Sequence, residues 1–138
     1  MSGEGGWADR LAPSAADIDA LARAALARTP EAFRARCPDL VILVEELADA
    51  ETLDALGIED PFELTGLYDG VDLMSKSVDD SGGPPDRVIL YRAAILDEWA
   101  ERGNVALGDL VAHVLVHEIG HHFGLSDEDI RAIDDWTT

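Results

Sequence analysis

Basic residues are scarce in this 138-residue chain: 10 Lys and Arg stand against 29 Asp and Glu, a formal net charge of -19. Such a surface repels phosphate backbones and anionic headgroups, so nucleic acid and membrane are excluded as partners on charge alone. Solubility and attraction for cations, divalent metals among them, are favoured instead. Cysteine is almost absent. Cys37 stands alone and cannot close an internal disulfide, so nothing signals an oxidising compartment. Followed by Pro38, and with no His or second Cys at ligand spacing, it reads as a small, partly buried thiol. No apolar run reaches the roughly 18 residues of a membrane span. The glycine-rich start, Met1 to Trp7, lacks the basic region and apolar stretch of a signal peptide. These absences predict a cytoplasmic protein, expected to be a monomer.

Apolar residues, by contrast, are plentiful: 47 % of the chain is hydrophobic, enough for one core at this length. Residues 1–10 read as a disordered N-terminal segment and 11–138 as a single domain. Ser14 after Pro13, with Ile18, Leu21 and Ala25 at helical spacing, predicts a helix over 14–28 that Thr29-Pro30 breaks. A further helical turn fits 31–36. Leu40 to Val44 is short and β-branched and predicts a buried strand. A short helix over 48–56 should end at Gly57. Residues 62–71, with Leu64, Gly66, Tyr68 and Gly70, suggest a second strand or hairpin arm, bent at its glycines. The polar stretch 73–86 reads as a long loop. A third strand at 88–91 either stops there or passes into a helix from about Ala93. Helices over 105–123 and 127–136 complete the chain. Helix, short strands, then helices is the order of an α+β domain with a small sheet packed on helices.

Chemistry concentrates between His113 and Asp127. Inside that segment stands H-E-x-x-H, at His117, Glu118 and His121. Helical spacing of four residues puts both imidazoles on one face, a turn apart, where two nitrogens can meet one metal. Glu118 lies beside them and can reach a water held there, so five residues supply two zinc ligands and a base. Leu110, Val111, Val114, Leu115, Ile119 and Phe123 give the same stretch an apolar surface. Two imidazoles and a carboxylate on such a helix are costly to bury without a shared partner, and a metal is the natural one. Gly124 can take the left-handed conformation that stops the helix. Ser126 and Asp129 resemble a capping box, which would put Asp127 in the first turn of the last helix. His113 shares the face of the pair but sits about 12 Å from His121 along an unbroken helix, so it reads as a histidine behind the ligands or at the core edge. His122, rotated about 100° from His121, points away from the metal and reads as a structural hydrogen-bonding residue.

Three stretches carry a family resemblance: Gly66-Leu67-Tyr68-Asp69-Gly70-Val71, Pro85-Asp86-Arg87-Val88-Ile89-Leu90-Tyr91-Arg92, and 117–130. In these the chain resembles small bacterial zincin-like proteins, minimal metallopeptidase-like domains with H-E-x-x-H-x-x-G-x-x-D near the C-terminus. The resemblance implies a compact fold with a small mixed sheet and an active-site helix. It implies His117, His121 and Asp127 as ligands of a zinc ion and Glu118 as base. Asp127 stands where the metzincin pattern has its third histidine, and a carboxylate oxygen serves zinc well. Neither methionine, Met1 or Met74, follows the motif, so the methionine turn of metzincins is missing. Only 11 residues follow Asp127, which leaves no C-terminal subdomain and predicts an open surface for a peptide or protein substrate, along the sheet edge. For stabilising an oxyanion, Tyr68 and Tyr91 are the upstream candidates, each also readable as a packed aromatic.

Two functions fit these residues. In the first, a zinc-dependent peptidase, the metal acidifies a bound water and Glu118 carries its proton to the leaving amine. In the second, a non-catalytic module, zinc ties the last helices together and a fourth protein ligand closes the site: His122, His113 or an acid of the 73–86 loop. Glu118, which a structural site does not need, favours the enzyme.

Overall fold

A computed structural model describes residues 8–69, 86–126 and 128–132. Expectations for the glycine-rich start, most of the polar 73–86 stretch, Asp127 and the end of the last helix therefore lie outside the described residues. The order is α1 (Ala15–Arg28), α2 (Glu31–Arg34), β1 (Val41–Glu45), α3 (Ala50–Leu56), a 3-10 turn (Pro61–Glu63), β2 (Gly66–Asp69), β3 (Arg87–Tyr91), α4 (Arg92–Arg102) and α5 (Leu107–His122).

Local chemistry sets the ends of these elements. Ser14 caps α1 through a reciprocal box: its Oγ accepts from Asp17 N–H at 3.1 Å and its own N–H donates to Asp17 Oδ2 at 2.8 Å. Caps of this kind are worth about 1 kcal/mol. The helix stops at Thr29, held extended by Pro30, with its buried hydroxyl donating to the Leu26 carbonyl at 2.6 Å. Asp49 caps α3 through Thr52 N–H, and Gly57 ends it in the left-handed region at φ 70°. The stretch expected to be strand from 62 begins instead as the Pro61–Glu63 turn, because Asp60 accepts from Phe62 N–H and Pro61 presets a helical φ. Of the two readings after Tyr91, the second holds: β3 passes directly into α4.

The sheet is mixed, in the order β1-β3-β2. Strand β1 runs parallel to β3 with Val41 opposite Arg87, and β2 runs antiparallel with Tyr68 opposite Val88. β3 takes the centre because its Val88-Ile89-Leu90-Tyr91 run is apolar on both faces, and all four residues are buried. Alternation sends Val88 and Leu90 into the main core with Ile42, α1 and α5. It sends Ile89 and Tyr91 into a second cluster with Ala48, Leu53 and Ala94. Helix α1 turns Ile18, Ala22 and Ala25 towards that main core and packs on α5; two alanines in this stripe allow a close approach. No helix among the described residues is long and apolar enough to cross a membrane.

After α5 the chain doubles back. Gly124 adopts φ 73°, its N–H donates to the His121 carbonyl at 3.0 Å, and Leu125 N–H donates to the Gly120 carbonyl at 3.0 Å. This pair of bonds is the Schellman closure expected of a glycine just past a helix. Ser126 then accepts from Asp129 N–H at 3.1 Å, starting the helical residues 128–132, and Ile130 becomes fully buried. Ile130 reaches Gly120 itself: a Cβ there would lie 2.7 Å from Ile130 Cγ1. Gly120→Val should therefore overpack this joint and cost about 1–3 kcal/mol. Thermal and denaturant unfolding of the two proteins would check it, and unchanged stability would show that the last segment does not pack here.

Candidate metal centre

Helix α5 carries the motif because one face of it is core. Leu110, Val111, Val114, Leu115, Ile119 and Gly120 are buried, which leaves His113, His117 and Glu118 half-buried and His121 exposed. The His117 and His121 rings stand 5.8 Å apart at 82°. Two imidazoles sharing one tetrahedral zinc, with bonds of about 2.0 Å, hold their centroids about 5–6 Å apart. The pair fits a zinc ion. His113 does not extend it: its ring lies 4.0 Å from His117 at 40°, closer than two ligands of one tetrahedral metal stand. Among the described residues, no group of three or more His, Cys, Asp or Glu side chains is arranged to hold a metal. Asp127, the third ligand expected from spacing, lies outside the described residues.

Glu118 sits at the junction of α5 and β2. A Cβ at Gly66 would lie 3.3 Å from Glu118 Cγ and 2.8 Å from Val114 Cγ1, so the bare backbone of β2 lies against the stem of this glutamate. Burial pushes the carboxyl above its usual pKa; the charge of His121 and a hydrogen bond donated by Tyr68 N–H pull the other way. The result is a carboxylate less well solvated than a surface one, with a stronger grip on a proton. Sequence reasoning missed both Gly66 and the Tyr68 amide. A glycine in a short strand was the available signal, since glycine there often marks a close backbone approach rather than a bend.

The two tyrosines part company. Tyr68 faces α5: its hydroxyl donates to Asp86 Oδ2 at 2.8 Å, and its ring stacks on His122 at 3.8 Å and 13°. Tyr91 points through the other face of the sheet, into the cluster of Ile89 and Ala94, and the structure does not bring it to the histidines. His122, expected to make a structural hydrogen bond, contributes this stack. Its buried Nε2 has no hydrogen-bond partner among the described residues, because the ring is flat against Tyr68 and edge-on to Phe123. Cys37 is a buried free thiol whose pKa is pushed up by burial and then by Asp86, which disfavours the thiolate.

Burial raises the pKa of both tyrosines; the Asp86 bond adds to the effect at Tyr68, and the charges of Glu45, Asp49 and Asp69 add to it at Tyr91. These are the only tyrosines of the chain. Below about pH 10 folded and unfolded chains both keep the phenolic protons, so the stabilisation is complete. Above that the unfolded chain ionises first, and stability falls as pH rises through the folded values. Ultraviolet titration should find no normally titrating tyrosine in the native protein and two in denaturant. A native tyrosine ionising in the ordinary range would contradict the placement of Tyr68 or Tyr91.

A family model described as "Zincin-like metallopeptidase" matches residues 37–137, a span that holds all three strands and α3 to α5. No curated protein matches the chain.

Proposed function

The chain belongs to the zincin-like metallopeptidase family, and we propose that it is a zinc-dependent peptidase with His117 and His121 as metal ligands, Asp127 as the third and Glu118 as general base. The observation that carries this reading is a desolvated carboxylate held beside an imidazole pair at zinc spacing. When bound, zinc supplies an acidified water and a Lewis acid for the scissile carbonyl. Glu118 takes a proton from the attacking water on its carboxylate oxygen and delivers it to the amine nitrogen as the C–N bond breaks. A raised pKa suits the first half of that task, since a base that grips a proton more firmly abstracts it more readily. The helical repeat keeps the His117 and His121 rings on one face of α5.

A purely structural zinc site is disfavoured by the same carboxylate. Burying Glu118 costs stability, and a site that only cross-links helices gains nothing from it. The substrate in this proposal is a peptide or protein amide.

Metal analysis and cleavage assays test it together. Wild type should carry about one zinc per chain, and His117→Ala and His121→Ala should lose it. Glu118→Gln should keep the zinc but lose at least about 100-fold in cleavage of casein or a fluorogenic peptide mixture. A chelator should abolish cleavage and added zinc restore it. Zinc retained in His117→Ala would sink the metal assignment, and undiminished cleavage by Glu118→Gln would sink the base.

A further inference from the structure

Basic charge is concentrated in one stretch of this acidic chain. Of 10 basic and 29 acidic residues, four basic ones (Arg23, Arg28, Arg34, Arg36) and one acid (Glu31) fall in 23–36, which leaves 6 against 28 elsewhere. Two of these arginines line a cleft. Arg23, Leu26 and Ala27 of α1, Arg34 of α2, Leu40 just before β1 and Ile42 within it surround an open space of about 460 Å³. That lies within the range of ordinary ligand pockets, about 300–1,000 Å³. The break at Thr29-Pro30 brings Arg34 back to the end of α1, where its Nη1 donates to the Ala27 carbonyl at 3.1 Å and to the Thr29 carbonyl. The guanidinium is thus fixed, and among the described residues its Nε and Nη2 make no hydrogen bond. Arg23 is less committed, being exposed and donating from Nε to Asp19 at 2.9 Å. The cleft lies at the β1 edge of the sheet, with β3 between it and the strand that covers Glu118. Of its lining, only Leu40 and Ile42 fall within the family match.

We propose that this cleft binds a small aliphatic carboxylate, its head on Arg34 and Arg23 and its chain on Leu26, Leu40 and Ile42. A guanidinium fork matches a carboxylate through two parallel hydrogen bonds. The apolar lining suits an aliphatic body. Among the described residues it offers no aromatic ring on which a base could stack and no further polar side chain to hold a sugar. Acids elsewhere on the chain repel an extended polyanion, so a single small negative charge fits where nucleic acid or an anionic membrane does not. The site stands apart from the proposed peptidase and does not rest on it.

Titration of the isotope-labelled full chain with octanoate tests it. The Leu40 and Ile42 amides and the Arg34 Nε–H should shift saturably, with a Kd of about 1 mM or below. Arg34→Gln should weaken binding at least about tenfold and Arg23→Gln about threefold. Arg36→Gln removes the same charge from an exposed position outside the lining and should change nothing. Octanol lacks the charge and inorganic phosphate lacks the chain, and each should bind at least about tenfold more weakly than octanoate. Tighter binding of N-acetyl-leucine than of octanoate would assign the carboxylate to peptide ends, and the reverse to free acids; both support the site. The wild-type titration and Arg23→Gln decide the matter even if Arg34→Gln does not fold. No saturable shift, shifts away from the cleft, equal binding of octanol or phosphate, or a loss in Arg36→Gln as large as in Arg34→Gln would each overturn the proposal.

Discussion

A side chain at position 66 would meet Val114 Cγ1 at 2.8 Å and Glu118 Cγ at 3.3 Å, so β2 and α5 lie together only because Gly66 ends at its Cα. The rest of the site follows from that approach. With the strand against the helix, the stem of Glu118 is covered and its carboxylate loses water. The strand that covers it also offers a backbone N–H in return, at Tyr68. A buried carboxylate left alone would cost several kcal/mol. One amide and the charge of His121 reduce that cost without removing it, so the carboxyl stays above its usual pKa.

The same economy of small residues shapes the other side of α5. Ala22 and Ala25 of α1 bury against the core it shares with α5, and Gly120 receives Ile130 from the segment that returns after Gly124. α5 is thus held on several sides, by a helix, a strand and a short return, each at a position where the contact residue is small. A helix so held cannot roll easily. Rolling by one residue, about 100°, would exchange His121 for His122 at the exposed face and bury the imidazole pair. Packing at Gly66 and Gly120 therefore sets which histidines look outward, although neither glycine can touch a metal.

Much of this was legible before any coordinates. Ser14, Thr29-Pro30, Gly57 and Gly124 mark the ends of elements by local chemistry, and local chemistry is what a sequence displays directly. β3 was legible for the same reason: four successive apolar, mostly β-branched or aromatic residues have few alternatives to a central strand. The α+β class and the family expectation stand. The helical phase of His113, His117 and His121 also gave the correct neighbours, since adjacent rings of that series do contact each other. What could not be read was contact between distant elements. Helical phase turns His122 about 100° from His121 and predicts a structural hydrogen bond for it. Its partner, Tyr68, is 54 residues away and meets it by a ring face, which no local pattern encodes. Gly66 suggests a bend when read locally, because the residues it makes room for lie on another element.

Charge is the remaining constraint, and it acts at a different range. The net charge of -19 gives the chain a field that draws in cations of every kind. At physiological salt that field is screened within about 8 Å, so it raises local metal concentration without choosing the metal. Choice comes from donor chemistry. A surface rich in carboxylates alone would favour calcium or magnesium, which prefer oxygen ligands. Two imidazoles at 5.8 Å shift the preference towards zinc and its neighbours, which bind nitrogen well. In the proposed centre, acidic surface and histidine pair would therefore do separate work: one would gather divalent cations, and the other would discriminate among them.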